Sequence, residues 1–153
     1  GEGAGEGGFD VVVAAWLLVY AEDEKMLGEM CRGLARQVVS GGRLVTAVTN
    51  PGLYSMFAEP PAYEKYGVFL RFAGSDAPFV PLEITLRHGG AEVSITNYNV
   101  PQPMLKAALE DAGFRDVEFA PFEVDPGDES SKDPEWDLLK QVPLGVVITA
   151  KKG

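Results

Sequence analysis

FDVVVAAWLLVYAEDEKMLGEMCRGLARQVVSGGRLVTAVTNP, residues 9–51, is the stretch whose reading decides the fold. Val11, Val12, Val13, Ala14 and Ala15 run without polar alternation, the pattern of a strand covered on both faces in a parallel sheet. Glu22, Asp23 and Glu24 suit the positive end of a helix dipole. Leu27, Met30, Cys31, Leu34, Ala35 and Val38 then recur at three- and four-residue spacing and share one helical face, with Lys25, Glu29, Arg32 and Arg36 mostly on the other. Ser40-Gly41-Gly42 is expected to stop this helix of about 16 residues, since glycine adopts positive φ freely. Residues 44–48 form the next buried strand, broken by Asn50-Pro51-Gly52. A helix joining two buried strands demands a crossover and a parallel pair. A βαβ unit therefore begins almost at residue 1.

On its amino-terminal side lies GEGAGEGG, residues 1–8, which has nothing to pack. A phosphate-binding glycine loop follows a strand and opens a helix, so that backbone N–H groups point at the ligand. Here the glycines come first and a strand follows, so the expectation is a flexible lead-in. On the other side, residues 52–100 change texture. Tyr54, Met56, Phe57, Tyr63, Tyr66, Phe69 and Phe72 crowd a segment interrupted by Pro60 and Pro61, without clean periodicity. This reads as an inserted cap. Leu82, Ile84 and Leu86 alternate with Glu83, Thr85 and Arg87; after Gly89-Gly90, Val93, Ile95 and Asn97 alternate with Ser94, Thr96 and Tyr98. The pattern predicts an antiparallel hairpin with one packed face.

The last third returns to helix-then-strand order. Pro101 and Pro103 suit a helix start; Leu105, Ala108, Leu109 and Ala112 supply its buried stripe and Gly113 its cap. Phe114, Val117 and Phe119 mark a strand. An acidic loop over residues 123–137 follows, with Asp133-Pro134-Glu135-Trp136 starting a short helix through Lys140. Residues 144–150, nearly all apolar, close the sheet.

Composition narrows the function classes. At 153 residues, 46% hydrophobic and 24% charged, the chain is one globular domain's worth of sequence. A formal charge of −10 repels phosphate backbones, so no nucleic-acid partner is expected. No apolar run reaches the roughly 20 residues of a membrane span, and no membrane partner is expected. Cys31 is the only cysteine, which excludes an internal disulfide and a cysteine-based zinc site. It falls on the apolar helix face and reads as a core residue in a reducing, cytoplasmic setting. Asp125-Pro126-Gly127-Asp128-Glu129 lacks the ligand spacing of a calcium loop, so no metal is expected. His88, the only histidine, precedes Gly89-Gly90 at a hairpin tip and reads as solvent-facing.

Four short motifs, in order along the chain, carry a family resemblance. Phe9-Asp10-Val11-Val12 looks like the fourth-strand "FD-V-V" motif of class I S-adenosylmethionine-dependent methyltransferases. Ser40-Gly41-Gly42-Arg43-Leu44 resembles their "L-K-P-G-G-R-L" turn, with Val39-Ser40 where Lys-Pro is usual. Ala112-Gly113-Phe114-Arg115-Asp116-Val117 matches the "AGF-x-x-V" turn before the sixth strand. Val147-Ile148-Thr149-Ala150-Lys151-Lys152 resembles the seventh. Within the family the chain resembles toxoflavin-synthase-like methyltransferases, through Ala15-Trp16-Leu17-Leu18-Val19-Tyr20-Ala21, through Tyr63-Glu64-Lys65-Tyr66-Gly67 and through Asn97-Tyr98. The resemblance implies an α/β, Rossmann-like methyltransferase sheet over residues 9–153. That sheet lacks the family's first βαβαβ segment and carries an inserted antiparallel hairpin or cap.

The same resemblance implies S-adenosylmethionine as cofactor and a small, aromatic or heterocyclic methyl acceptor. In open α/β sheets ligands lie beyond the carboxyl ends of the strands, which places Ala15, Trp16 and Leu17 beside the cofactor and Asn50 toward the acceptor. Trp16 reads equally as a plain core aromatic, and Asn50 as a turn residue before Pro51. Tyr54, Tyr66 and Tyr98 come from the cap and either line an aromatic acceptor pocket or simply pack. The family's glycine loop and ribose-holding acid have no counterpart in these residues, so weak cofactor binding by this chain alone is expected. The strand from Val11 to Ala15 would keep an unpaired apolar edge, available to a second copy or a complementing chain. The alternative is a non-catalytic α/β module that associates through that edge.

Overall fold

Both apolar runs of the opening unit become strands in the computed structural model, which describes residues 8–123 and 132–153. β1 (Phe9–Ala15) pairs in parallel with β2 (Val38–Thr49), and α1 (Glu24–Ala35) crosses between them. Asp23 caps the helix: its carboxylate accepts from the Met26 N–H at 2.7 Å, a contact that contributes about 1 kcal/mol. Leu27, Cys31, Leu34 and Ala35 are buried, as their spacing predicts. The lead-in over residues 1–7 and the run from Asp125 to Glu129 lie outside the described residues.

The helix stops earlier than expected. It ends at Ala35, and Ser40-Gly41-Gly42 lies inside β2. Phe9 pairs with Val38 and Val11 with Arg43, so β2 advances five residues while β1 advances two. The three residues Ser40, Gly41 and Gly42 fall inside this bulge. Gly41 sits at φ +79°, and a Cβ on Gly42 would come within 2.9 Å of the Asp10 carbonyl oxygen. The two glycines therefore let one strand buckle against its neighbour; they do not end a helix.

The cap and the final third follow the sequence pattern more closely. β3 (Val68–Phe72), β4 (Pro81–His88) and β5 (Ala91–Tyr98) form a separate antiparallel sheet in that order, with Gly89-Gly90 as a two-residue turn and His88 exposed beside it. β3 comes out of the aromatic segment that shows no clean period. α2 (Gln102–Asp111) is followed by β6 (Phe114–Pro121), then α3 (Asp137–Gln141) and β7 (Gly145–Lys152). β7 is last in the chain yet internal: the sheet order is β1-β2-β7-β6, with β7 antiparallel to both neighbours.

The main sheet is packed on one face. Val12, Ala14, Leu44, Val48, Val146, Ile148 and Ala150 join Leu27, Cys31, Leu105 and Leu109 of α1 and α2 in the core. The opposite face is not covered as the apolar run of β1 predicts: Phe9 is 61%, Val11 54% and Val13 70% exposed. β1 is also an edge strand, with no strand on its outer side among the described residues. No helix among the described residues is long and apolar enough to cross a membrane.

Burial of Cys31 has a measurable consequence. Desolvation pushes its thiol up from 9.0 to about 11, against a small lowering by Arg32. The neutral thiol is the form the fold favours. This contribution is therefore intact below pH 9 and is lost as pH rises toward 11, at up to about 1.4 kcal/mol per pH unit. Denaturant titrations at pH 8 and 10 should show a steeper alkaline loss for the wild type than for Cys31→Ala. A thiol reagent should modify Cys31 only after denaturation; rapid labelling of the native protein would contradict the burial.

Candidate ligand cleft

Parallel pairing brings the carboxyl ends of β1 and β2 side by side, with Ala15 opposite Ala47. The chain leaves β1 through Trp16, whose N–H donates to the Ala47 carbonyl at 2.8 Å while its φ is +60°. A left-handed conformation in a bulky residue costs about 1–3 kcal/mol and persists only where the surroundings fix it. They do so here. The Trp16 ring meets Phe122 edge-on, centroids 5.9 Å apart at 83°, and both rings rest on Gly145. A Cβ at Gly145 would lie 2.8 Å from the Phe122 ring and 2.9 Å from that of Trp16.

This aromatic pair forms one wall of a cleft of about 510 Å³, inside the range of small-molecule sites. The inward face of the cap sheet, including Val68, Leu70, Ile84 and Ile95, forms the opposite wall. Thr49 and Asn97 are the buried polar residues of the lining, 4% and 1% exposed. Asn97 Nδ2 donates to Thr49 Oγ1 at 2.7 Å, which ties the end of β2 to the end of β5. Asn97 Oδ1 has no partner; an unsatisfied buried acceptor costs about 1–3 kcal/mol. Tyr20, 41% exposed, and the exposed Glu123 also line the cleft. Among the described residues Glu123 is the only charged one that lines the cleft.

The residues singled out from sequence divide by location. Trp16 lines the cleft; Ala15 and the 38% exposed Leu17 flank it at the end of β1. Asn50 is a strap between loops, its Oδ1 accepting from the Gly52 N–H at 3.0 Å and its Nδ2 donating to the Pro143 carbonyl at 2.9 Å. Tyr54 is 1% exposed, edge-on to Phe72, and burial holds its hydroxyl well above the ordinary tyrosine pKa. Tyr66 stacks on Trp136 at 5.5 Å and donates to the Glu135 carbonyl. Tyr98 is half-buried; desolvation, and then the Glu22 carboxylate beside it, raise its pKa. Asn50, Tyr54, Tyr66 and Tyr98 are thus not among the residues that line the cleft.

Thr49, Phe122 and Gly145 also shape the cleft, and Asn97, one of the alternating residues of the packed hairpin face, lines it. The available signal was an amide at a position where that alternation calls for an apolar side chain. Phe122 and Gly145 carry no comparable signal, because their contact is made only when β6 and β7 pair.

Two glycine substitutions should separate wall packing from general effects. Gly145→Ala should destabilise the protein by about 1–3 kcal/mol through overpacking and shift the tryptophan emission. Gly33→Ala, inside α1 with only the Arg36 side chain within 4 Å, should stabilise it by about 0.5–1 kcal/mol. Equal melting temperatures for Gly145→Ala and wild type would contradict the close ring contact.

No protein-family model and no curated protein sequence matches the chain. Solved structures do. An S-adenosylmethionine-dependent methyltransferase from Clostridium acetobutylicum superposes with a TM-score of 0.55 at 10% identity, covering 95% of this chain and 59% of its own. One from Mesorhizobium loti gives 0.59 at 16% identity, covering 95% and 62%. The CcbJ methyltransferase of Streptomyces caelestis gives 0.50 at 15%, covering 99% and 64%. The chain spans less than two thirds of the length of each. Its mixed α/β architecture is the Rossmann-like fold of S-adenosylmethionine-dependent methyltransferases.

Proposed function

We propose that this chain supplies the carboxyl-terminal part of an S-adenosylmethionine-dependent methyltransferase acting on a small molecule, of the toxoflavin-synthase-like kind. The observation that carries the reading is the position of the cleft. It opens at the paired carboxyl ends of β1 and β2 and is roofed by the cap sheet, where open α/β sheets bind ligands. S-adenosylmethionine, when bound, supplies an activated methyl group, so a protein's task is orientation and exclusion of water. Ala15, Trp16 and Leu17 would border one side of the cofactor. Trp16, shared with the cleft, would separate cofactor from acceptor and aim one at the other. Leu53, Leu70 and Ile84 would hold the acceptor and keep water out.

The fit to the cofactor is one-sided. Ala15, Trp16 and Leu17 carry no charge, and the Trp16 indole is their one side-chain donor. Groups able to hold the ribose and the amino-acid portion would come from a further βαβαβ segment, as the resemblance implies. The chain by itself should therefore bind S-adenosylmethionine more weakly than micromolar. Calorimetric titration checks this, and micromolar affinity of these residues alone would overturn it.

The bare apolar surface around Phe9, Val11 and Val13 supports a related reading: this face and edge meet a complementing chain or a second copy. The non-catalytic module remains the alternative in which that association is the whole function. Sedimentation should show association at high concentration, abolished by Val13→Lys; a monomer at all concentrations would remove this reading. Methyl transfer restored by a complementing segment would favour the enzyme, and association without any transfer the module.

A further inference from the structure

We infer that residues 133–144 form a hinged flap over one side of the cleft, latched by Tyr63 and Tyr66, and that its opening sets how fast ligands exchange. The inference applies to whatever the cleft holds and does not rest on the methyltransferase reading. It starts from how the segment is attached. Leu139, Pro143 and Leu144 line the cleft, yet none of residues 133–144 is buried, so the hydrophobic effect does little to hold them in place. Backbone pairing does no more. Among the described residues, the backbone hydrogen bonds of residues 133–143 stay inside the segment, as from the Val142 N–H to the Leu138 carbonyl at 2.8 Å. What fastens it is a set of side chains from residues 50–66. The Tyr63 hydroxyl donates to the Val142 carbonyl, and the Tyr66 hydroxyl and the Lys65 ammonium both donate to the Glu135 carbonyl. The Tyr66 ring stacks on Trp136, centroids 5.5 Å apart at 8°.

The attachments divide into a hinge and a latch. Asn50 holds the carboxyl end twice: its Nδ2 donates to the Pro143 carbonyl and its backbone N–H to the Leu144 carbonyl, each at 2.9 Å. Those residues adjoin Thr49 and Gly145, which pair within the main sheet, and proline has a fixed φ. That end is carried by β2 and β7. The rest is held by contacts that are individually modest in competition with water. Tyr63 is fully buried and stays with the body of the protein, whereas its partner, the Val142 carbonyl, belongs to the segment and Trp136 is 36% exposed. Regions with few buried contacts open at a fraction of the cost of global unfolding. Release at Tyr63 and Tyr66 would swing Leu139 off the cleft and leave Gly145 beneath Trp16 and Phe122 undisturbed. Loop motions of this kind gate ligand exchange in many proteins.

Hydrogen exchange followed by mass spectrometry tests the flap. In the wild type, residues 136–142 should exchange about a hundredfold faster than β7, at a rate that low urea leaves unchanged while it accelerates β7. Tyr63→Phe should raise the exchange of residues 136–142 about tenfold. Tyr66→Phe, which keeps the stacked ring, serves if Tyr63→Phe fails to fold by circular dichroism. Access to the cleft is read with a thiol. Leu53 is fully buried and lines the cleft, so Leu53→Cys is treated with the small uncharged reagent 4,4′-dithiodipyridine. Its modification should accelerate about tenfold when Tyr63→Phe is added, with the buried Cys31 silent in both proteins. Exchange of residues 136–142 that rises with urea in step with β7 overturns the flap. Equal modification of Leu53→Cys with and without Tyr63→Phe overturns the gate, because ligands then enter by another route. If Leu53→Cys does not fold, the effect of Tyr63→Phe on hydrogen exchange decides alone.

Discussion

β1 and β2 run in the same direction, and most of the architecture follows from that single constraint. A chain that ends one strand at the top of a sheet and begins its parallel neighbour at the bottom must travel back along the sheet's length. The twelve residues of α1 make that journey. Their apolar stripe then has one place to go, the sheet face carrying Leu44, Val48 and Ile148, and α2 joins it there. Parallel pairing also places Trp16 and Thr49 near one another at the carboxyl ends. The cleft is a consequence of strand direction before it is a consequence of any particular side chain.

The same constraint explains the asymmetry of the sheet. A parallel pair normally has both faces covered, and the uninterrupted apolar run of β1 is written for that situation. Among the described residues α1 and α2 cover one face, and Phe9, Val11 and Val13 are exposed. Exposed apolar side chains grouped in this way are the kind of patch through which proteins associate. The cap takes the opposite solution. Its three antiparallel strands turn one face inward, with Leu82 and Ile84 buried, and leave the tip, with Leu86 and Val93, exposed.

Legibility in the sequence follows the range of the interaction. α1 was readable because its spacing, its Asp23 cap and its charged face are local. The hairpin was readable because alternation and a two-glycine turn are local too. Its one polar departure, Asn97, held the clearest trace of the cleft, since a buried amide must find a partner. The glycines at 41 and 42 read locally as a helix stop because a bulge and a helix stop use the same conformational freedom. Only the register between two strands distinguishes them. β3 is not legible locally because aromatics at irregular spacing give no period, and its pairing with β4 supplies what its own residues do not.

Sequence alone determined α1, α2, the β4–β5 hairpin and the buried stripes of the two helices, because periodicity and capping act within a few residues. It also pointed to the end of β1, where Trp16 lines the cleft. Tertiary structure alone decided that β7 sits inside the sheet, that Gly145 must lack a side chain beneath Trp16 and Phe122, and that Thr49 meets Asn97 across 48 residues of chain. Those outcomes depend on which strands become neighbours. That choice minimises exposed apolar surface and unpaired backbone over the whole molecule, a sum that no local stretch of residues contains.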